Sequence, residues 1–451
     1  GGVGQTPDLW DNAYFDGSYF HNGKVEPAKG FCTDVFFSRA NEFISRCARE
    51  QKPFLAYIAT NAPHGPLHCP PEYSAMYEGQ SANIASFYGM ITNVDDNVGK
   101  TRRLIEDLGI ADNTIFVFTT DNGTASGAKV FNAGMRGAKG SPYDGGHRVP
   151  FFLHWPAGGI TKQHDVDVLT HAVDIVPTLL EMTGVKKPAG VKFDGVSIAG
   201  LLDPAKDVDF PERFVISDSQ RVRDPIKWRS SSVMSQKYRL INGKELYDIA
   251  VDPGQQNDVA KQQPAVVAEM RQFYEDWWAE LKPTFAQTTE IYLGHPEHRV
   301  VSLTAHDWIQ DVYPPWHQGS IRQADRKHPK SEKLAHQGHW AVKVIRDGKY
   351  QVSLRRWPVE SGAAINDALP AGANVPGAAQ AFRTAEGNAI GATHAVLRID
   401  EEDVDRKSIE HDAAEVSFVV DLKQGSYRLA PWFEIEEGEL GAYYVVVTQL
   451  D

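Results

Sequence analysis

Hydrophobic residues in the first half of this chain fall into short solid runs separated by stretches with helical spacing. Residues 53–60, PFLAYIAT, are such a run and predict a buried strand. They lead into NAPHGPLHCPPEY, a loop rich in Pro and His. Over 84–108, Met90, Val94, Val98, Ile105 and Leu108 recur at the spacing of one helix face, and Gly109 ends the pattern. Residues 114–120, TIFVFTT, predict a second strand, and 149–154, VPFFLH, a third. Between these two lies a long glycine-rich loop, from Asp121 to Arg148. Residues 170–183, THAVDIVPTLLEMT, predict a helix that contains Pro177 and stops at Gly184. This order of elements predicts an α/β domain built on a mainly parallel sheet. In such sheets function gathers in the loops beyond the strand ends, where the two loops above stand.

The pattern then changes. Residues 213–251 predict short strands, ending in KYRLINGKELYDIAVDP, and a helix follows from about 264 to 281 with Trp277 and Trp278 on it. Together they predict a small α+β unit. From about residue 286 the period becomes two, in WAVKVIRDGKYQVSLRRW, THAVLRID, AEVSFVVDLKQGSYRLAPWFEI and AYYVVVTQL. Alternation with glycine turns predicts an antiparallel β-sandwich. Residues 360–392, rich in Ala and Gly, predict a long loop, and no internal repeat is visible. The expected organisation is 1–210, 211–285 and 286–451.

Composition narrows the function. With 451 residues, 42% of them hydrophobic, the chain can fill more than one core. A net charge of −13 argues against nucleic acid as the main partner, since phosphate backbones need a basic face. It does not exclude a small anion, which one local group of cations can hold. No apolar run reaches the roughly 18 residues of a membrane span. The opening GGVGQTPDLWDN has neither the basic nor the apolar region of a signal peptide. The three cysteines, Cys32, Cys47 and Cys69, have no C-x-x-C spacing, which argues against a zinc ribbon or redox motif.

Three stretches carry candidate chemistry. Asp121-Asn122-Gly123 ends a strand with two oxygen-bearing side chains. An Asx turn accounts for it, and so does part of a hard-cation site, because Ca²⁺ and Mg²⁺ take carboxylate and amide oxygens. Two donors do not complete a calcium site, which takes about six to eight. In Asn61-Ala62-Pro63-His64-Gly65-Pro66 the prolines stiffen a loop around His64. The histidine is either a surface imidazole or a proton donor poised near neutral pH. The stretch from Met135 to Pro150, MRGAKGSPYDGGHRVP, sets Arg136, Lys139, His147 and Arg148 among glycines that let backbone approach a ligand. A solvated mobile loop is the plain alternative.

Taken in order, NAPHGPL, FVFTTDNG, RGAKGSPYDGGHRVPF, THAVDIVPTLLEMTGV and FDGVSIAGLL resemble the sulfatase family of the alkaline phosphatase superfamily. KELYDIAVDPGQQNDVA is similar to that family's C-terminal subdomain, and the resemblance runs to about residue 283. It implies an alkaline-phosphatase-like mixed sheet flanked by helices, with the β-rich region appended. It implies that Asp121 and Asn122 are two of four metal ligands, usually to Ca²⁺, with Mg²⁺ as the other hard cation. It also implies that Lys139 contacts the sulfate and its bridging oxygen, and that His64 contacts the ester and assists the leaving group. Arg136 is expected to shape the loop or a subsite. His68, His147, Trp316 and His317 are candidates for substrate contact, with Trp308 and Tyr313 near the last two. The expected substrate is a sulfate ester, either a small molecule or a sulfated glycan. A periplasmic or secreted location is also implied.

Other family features are lacking. The nucleophile motif, C/S-x-P-S/A-R, whose first residue becomes formylglycine, does not occur; Cys69-Pro70-Pro71 has Tyr73 where Arg belongs and follows His64 rather than preceding it. Asp95-Asp96 falls inside the predicted helix, so it does not stand for the family's paired strand-end aspartates. The opening, GGVGQTPDLWDNAYFDGSYFHNGK, resembles the middle of a sulfatase. The expectation is therefore a sulfatase whose nucleophile segment lies outside this sequence, inactive by itself. A phosphodiesterase or phosphonate hydrolase of the same superfamily is the alternative within the enzymes. A non-catalytic glycan-binding pseudoenzyme is the alternative outside them.

Overall fold

The computed structural model describes residues 10, 12–203, 208–220, 222–310, 314–315, 318–324, 337–372 and 386–450. A hairpin, β1 (Ser18–His21) and β2 (Lys24–Pro27), precedes helix α1 (Cys32–Arg49). The short α2 (Pro71–Ala75) and the long α3 (Ala82–Asp107) follow. On α3 the buried positions Phe87, Met90, Asn93, Asn97, Thr101 and Ile105 form one stripe. Its polar middle is satisfied across the interface with α1: Asn93 and Asn97 donate to Asp34 at 3.0 and 2.7 Å, and Thr101 donates to Asn41 at 2.9 Å. Asp95 and Asp96 lie on the exposed side of α3, as the helical pattern predicts.

Strand β3 (Phe116–Thr119) pairs with β4 (Phe151–His154), and the four-residue helix α4 (Asp144–His147) sits in the loop between them. This pair is antiparallel, in contrast to the mainly parallel sheet expected. The difference at residues 53–60 is larger. They run extended, but among the described residues no strand pairs with them. Their side chains alternate as in a strand: Phe54 packs edge-on to Phe43 of α1 at 6.2 Å, while Leu55 and Tyr57 are 82% and 90% exposed. A strand needs a ladder as well as a pattern. Helix α5 (Ile175–Thr183) begins after a 3-10 turn at Ala172–Asp174, so Pro177 sits in the first helical turn, where its missing N–H costs no hydrogen bond. Gly184, at φ 68°, ends it.

The second region is a four-stranded antiparallel sheet, β5 (Val215–Asp218), β6 (Ser231–Met234), β7 (Tyr238–Ile241) and β8 (Glu245–Asp248), in that order. Helix α6 (Pro264–Leu281) covers it, with Met270, Tyr274 and Trp278 packed on Val233, Leu240 and Leu246.

The β-rich region holds β9 (Ile291–Leu293), β10 (Val300–Thr304), the short α7 (Gln318–Gln323), β11 (Trp340–Val344) and β12 (Gly348–Arg355). It continues with β13 (His394–Ile399), β14 (Glu402–Ser408), β15 (Val416–Leu422), β16 (Gly425–Leu429), β17 (Trp432–Ile435), β18 (Gly438–Gly441) and β19 (Tyr444–Gln449). One sheet runs β10-β19-β12-β15 and the other β18-β17-β13-β16-β11-β9, with β14 on β13. All pairings are antiparallel except β9 with β11. Val352, Leu354, Phe418 and Val445 of the first sheet share one buried cluster with Val342, Leu397, Phe433 and Leu440 of the second. Trp10 fastens the start of the chain to this region: its ring meets Trp357 edge-on at 5.3 Å, beneath the Arg322 guanidinium at 4.7 Å.

Candidate active site

The glycine-rich loop is folded on itself. Just past β3, Gly123 N–H donates to the Gly146 carbonyl at 3.0 Å, and Lys139 N–H donates to the Thr124 carbonyl at 3.1 Å. Gly145 N–H reaches the Arg136 carbonyl at 2.8 Å. A Cβ on Gly123 would lie 2.0 Å from the Gly145 oxygen, and one on Gly146 would lie 2.1 Å from the Ser141 oxygen. Only glycine allows backbone to pass this close. The structure thus puts Asp121, Asn122, Lys139 and His147 on one hydrogen-bonded loop, with Asp121 exposed and Asn122, Lys139 and His147 half-buried. Among the described residues the Lys139 ammonium forms no ion pair, so it is available to an anion.

The loop is held from behind by residues that the sequence reading did not single out. Asp144 is fully buried and accepts from Arg239 Nε at 3.1 Å, while its backbone N–H donates to the Gln255 side chain at 2.8 Å. Burial holds the Arg239 guanidinium below its usual pKa, and Asp144 opposes that shift. Arg136 lies 3.9 Å above the Tyr143 ring and donates to Tyr247 Oη at 3.0 Å and the Gln255 carbonyl at 2.9 Å. Arg136 therefore joins the loop to β8 and the turn after it. Tyr143 and Tyr247 both donate to Glu245 at 2.7 Å, and burial first, then that carboxylate, raises both phenol pKa values. His147 Nε2 meets the Pro142 carbonyl at 3.1 Å. Burial lowers its pKa against the opposing charge of Asp144, and burial lowers that of its neighbour His171 as well. Behind these, Asp174 binds Arg213 and the N–H of Val196, tying the THAVDI and FDGVS stretches together.

The second loop carries His64, which is exposed. Its Nδ1 lies 2.7 Å from the Gly65 carbonyl, so that nitrogen carries the proton and Nε2 faces outward. Tyr14 braces the loop by donating to the carbonyls of His64 and Gly65, both at 3.1 Å. His68 is fully buried, with its ring edge-on to Tyr14 at 5.6 Å. A ligand cannot reach His68 in this conformation, because the bracing of the His64 loop covers it. Both loops rest on the same part of α3. A Cβ at Gly89 would strike Cys69 Sγ at 2.7 Å, and one at Gly127 would strike the Phe87 ring at 2.7 Å.

Among the aromatic candidates, Trp316 and His317 lie outside the described residues, as does Tyr313. Trp308 is core: it is buried and stacked on Tyr443 at 5.6 Å, not open to a sugar. Asp121 and Asn122 offer two hard oxygen donors. No group of three or more His, Cys, Asp or Glu side chains able to hold a metal forms among the described residues. Among the described residues these two donors do not by themselves close a cation site.

No helix among the described residues is long and apolar enough to cross a membrane. The Sulfatase family profile matches residues 5–185, and the profile for N-sulphoglucosamine sulphohydrolase, C-terminal, matches residues 138–277. The chain is 32% identical over 198 residues to the uncharacterized sulfatase YdeN of Escherichia coli K12, covering 43% of this chain and 35% of that protein. It is 31% identical over 183 residues to the human N-acetylgalactosamine-6-sulfatase, covering 40% of this chain and 34% of that protein. It thus spans about a third of the length of these curated relatives. The crystal structure of Ps i-CgsB in complex with k-i-k-neocarrahexaose superimposes with a TM-score of 0.50 at 28% identity, covering 57% of each chain. Two overlapping profiles, this likeness in fold and the strand-end and glycine-loop motifs agree: through residues 5–277 the chain belongs to the sulfatase family.

Proposed function

We propose that this chain carries the sulfate-binding side of a sulfate-ester hydrolase that acts on sulfated carbohydrates. The reading rests on one observation. The backbone bonds from Gly123 to Gly146 and from Thr124 to Lys139 gather the strand-end oxygens and an unpaired ammonium onto a single folded loop. In this reading Lys139 meets the negative charge of the sulfuryl group and stabilises what develops on it as the S–O bond breaks. His64 acts here as the imidazolium, with both ring nitrogens protonated: its Nδ1–H stays on the Gly65 carbonyl while the Nε2 proton passes to the departing sugar oxygen, leaving the neutral Nδ1–H ring. Asp121 and Asn122 contribute oxygens to a hard cation, Ca²⁺ before Mg²⁺, whose remaining donors are not among the described residues. Arg136 positions the loop, and His147 lines it. Carbohydrate as the substrate class is supported by the names of the relatives, which include N-acetylgalactosamine-6-sulfatases. The family's formylglycine comes from a motif that these 451 residues do not contain. We therefore expect the chain to bind sulfate esters without turning them over.

Calorimetric titration with N-acetylgalactosamine 6-sulfate, 4-nitrophenyl sulfate and 4-nitrophenyl phosphate tests this. Binding of both sulfates over the phosphate, weakened at least about tenfold by Lys139→Ala, is the expected result. Tighter binding of the phosphate would favour the phosphonate hydrolase alternative. Sugar binding that survives Lys139→Ala and does not need the sulfate would favour a glycan-binding pseudoenzyme.

A further inference from the structure

The loop between Asp121 and Lys139 holds one feature that sulfate binding does not use. Phe131 is 74% exposed and makes no ring contact among the described residues. The backbone beneath it is nonetheless ordered. Val130 and Phe131 N–H both donate to the Gly127 carbonyl, at 2.9 and 3.0 Å. Gly127 N–H donates to Thr124 Oγ1 at 3.0 Å, and the Thr124 carbonyl accepts from Lys139 N–H at 3.1 Å. One residue, Thr124, therefore fastens both the turn that presents Phe131 and the segment that presents Lys139. Beyond Phe131, the Asn132 side chain donates to the carbonyls of Met135 and Gly137, both at 2.8 Å. Ala133 stands at φ 50°, in the left-handed region, where a residue with a side chain is strained by roughly 1–2 kcal/mol. Strain of this kind persists where the surroundings over-determine the backbone, and it clusters at ligand sites.

A fixed aromatic ring facing solvent forgoes about 1.5–3 kcal/mol of burial, and among the described residues no other ring packs on Phe131 to recover it. The ring sits on the loop that bears the anion-binding ammonium. Its apolar face matches the C–H face of a pyranose, and the Lys139 ammonium matches a sulfate on that pyranose. Resting on the sulfatase reading above, we propose that Phe131 is the stacking platform for the sugar ring that carries the scissile sulfate, so that it selects sulfated sugars over other sulfate esters. Lys139 reads the anion and Phe131 reads the ring.

The test is calorimetric titration of the full 451-residue chain with N-acetylgalactosamine 6-sulfate and with inorganic sulfate. Phe131→Ala is expected to weaken the sugar sulfate about tenfold, the loss of one stacked face, and to leave inorganic sulfate within about twofold. Phe131→Trp is expected to restore the sugar affinity, and Lys139→Ala to weaken both ligands. Because Phe131 is exposed, its replacement leaves the core intact, which circular dichroism checks. Unchanged sugar-sulfate affinity in Phe131→Ala, with Lys139→Ala still weakening both ligands, overturns the platform and spares the sulfatase reading. Failure of the unmutated chain to bind either ligand overturns both.

Discussion

The α/β region around residues 53–154 and the β-rich region from 291 to 449 treat apolar strands in opposite ways. In the second, each strand finds a neighbour and the inward residues close into one core around Trp340, Phe418 and Phe433. In the first, β3 has only β4, and residues 53–60 have no partner among the described residues, so Leu55, Tyr57 and Phe152 face solvent. The two sequences look equally strand-like. What separates them is whether another segment lies alongside to take the backbone hydrogen bonds and cover the side chains. The region with the richer chemistry is the one with the thinner core, and its order comes from loops that bond to themselves.

The largest effect should come from removing a side chain on each side of this contrast. Trp340→Ala, at a fully buried position whose indole donates to the Thr304 carbonyl at 2.7 Å, should cost about 3–5 kcal/mol in urea denaturation. Leu55→Ala should stay within about 0.5 kcal/mol. Equal losses would mean that residues 53–60 are covered in solution and that the contrast does not hold there.

Arg239→Ala comes next, because it leaves the buried Asp144 carboxylate only the longer 3.9 Å ion pair with the exposed Arg148. A loss of about 3 kcal/mol is expected, with limited proteolysis now cutting within 121–148. A protease-resistant loop in that variant would show that its own backbone bonds suffice. Gly123→Ala should be milder overall, about 1–3 kcal/mol, but more selective. Its Cβ would meet the Gly145 oxygen, so sulfate binding should fall while the unfolding of the β-rich region, followed by hydrogen exchange, stays unchanged.

Protonation gives a smaller effect that compares the regions directly. Burial lowers the folded-state pKa of His147 and His171 in the first region, and that of His339 in the second to about 4. For each of these histidines the unfolded chain binds the proton more readily than the folded one. Stability is therefore complete above the ordinary value near 6.5 and falls as pH drops below it. For His339 the fall should continue to about pH 4. His339→Gln should flatten that part of the urea-midpoint profile, and His147→Gln with His171→Gln should lessen the fall that begins below the ordinary histidine value. A profile unchanged in both variants would assign the acid sensitivity to carboxylates instead. Tyr57→Ser should alter stability least, and its readout is light scattering: a bare apolar strand promotes association, and a polar side chain there should reduce it.

Much of the site was legible in order along the chain. Asp121-Asn122 at a strand end, a glycine loop with Lys139, and His64 between prolines are local signatures, and the fold puts them at loops as expected. The clamp behind them was not legible. Asp144, Arg239, Tyr143, Glu245, Tyr247 and Gln255 meet across about a hundred residues of chain, and neither periodicity nor a motif announces a contact at that range. The GGH stretch did hint at it, because two adjacent glycines imply backbone passing close by. His68 and Trp308 misled for the opposite reason: residue type suggests a ligand contact, but only packing decides exposure, and both are buried.

By itself the sequence determined the local elements: helices where apolar residues recur every three to four positions, turns where glycine and proline sit, alternation where a sandwich forms, and the family motifs. Local sterics and periodicity act over a few residues, so they can be read without a fold. Tertiary structure alone decided that β3 and β4 run antiparallel, that residues 53–60 find no partner strand among the described residues, that Asp144 is paired with Arg239, and that Phe131 stands exposed on the loop of Lys139. Each of these depends on which distant segment lies alongside, and burial and long-range hydrogen bonds set that only once the whole chain has packed.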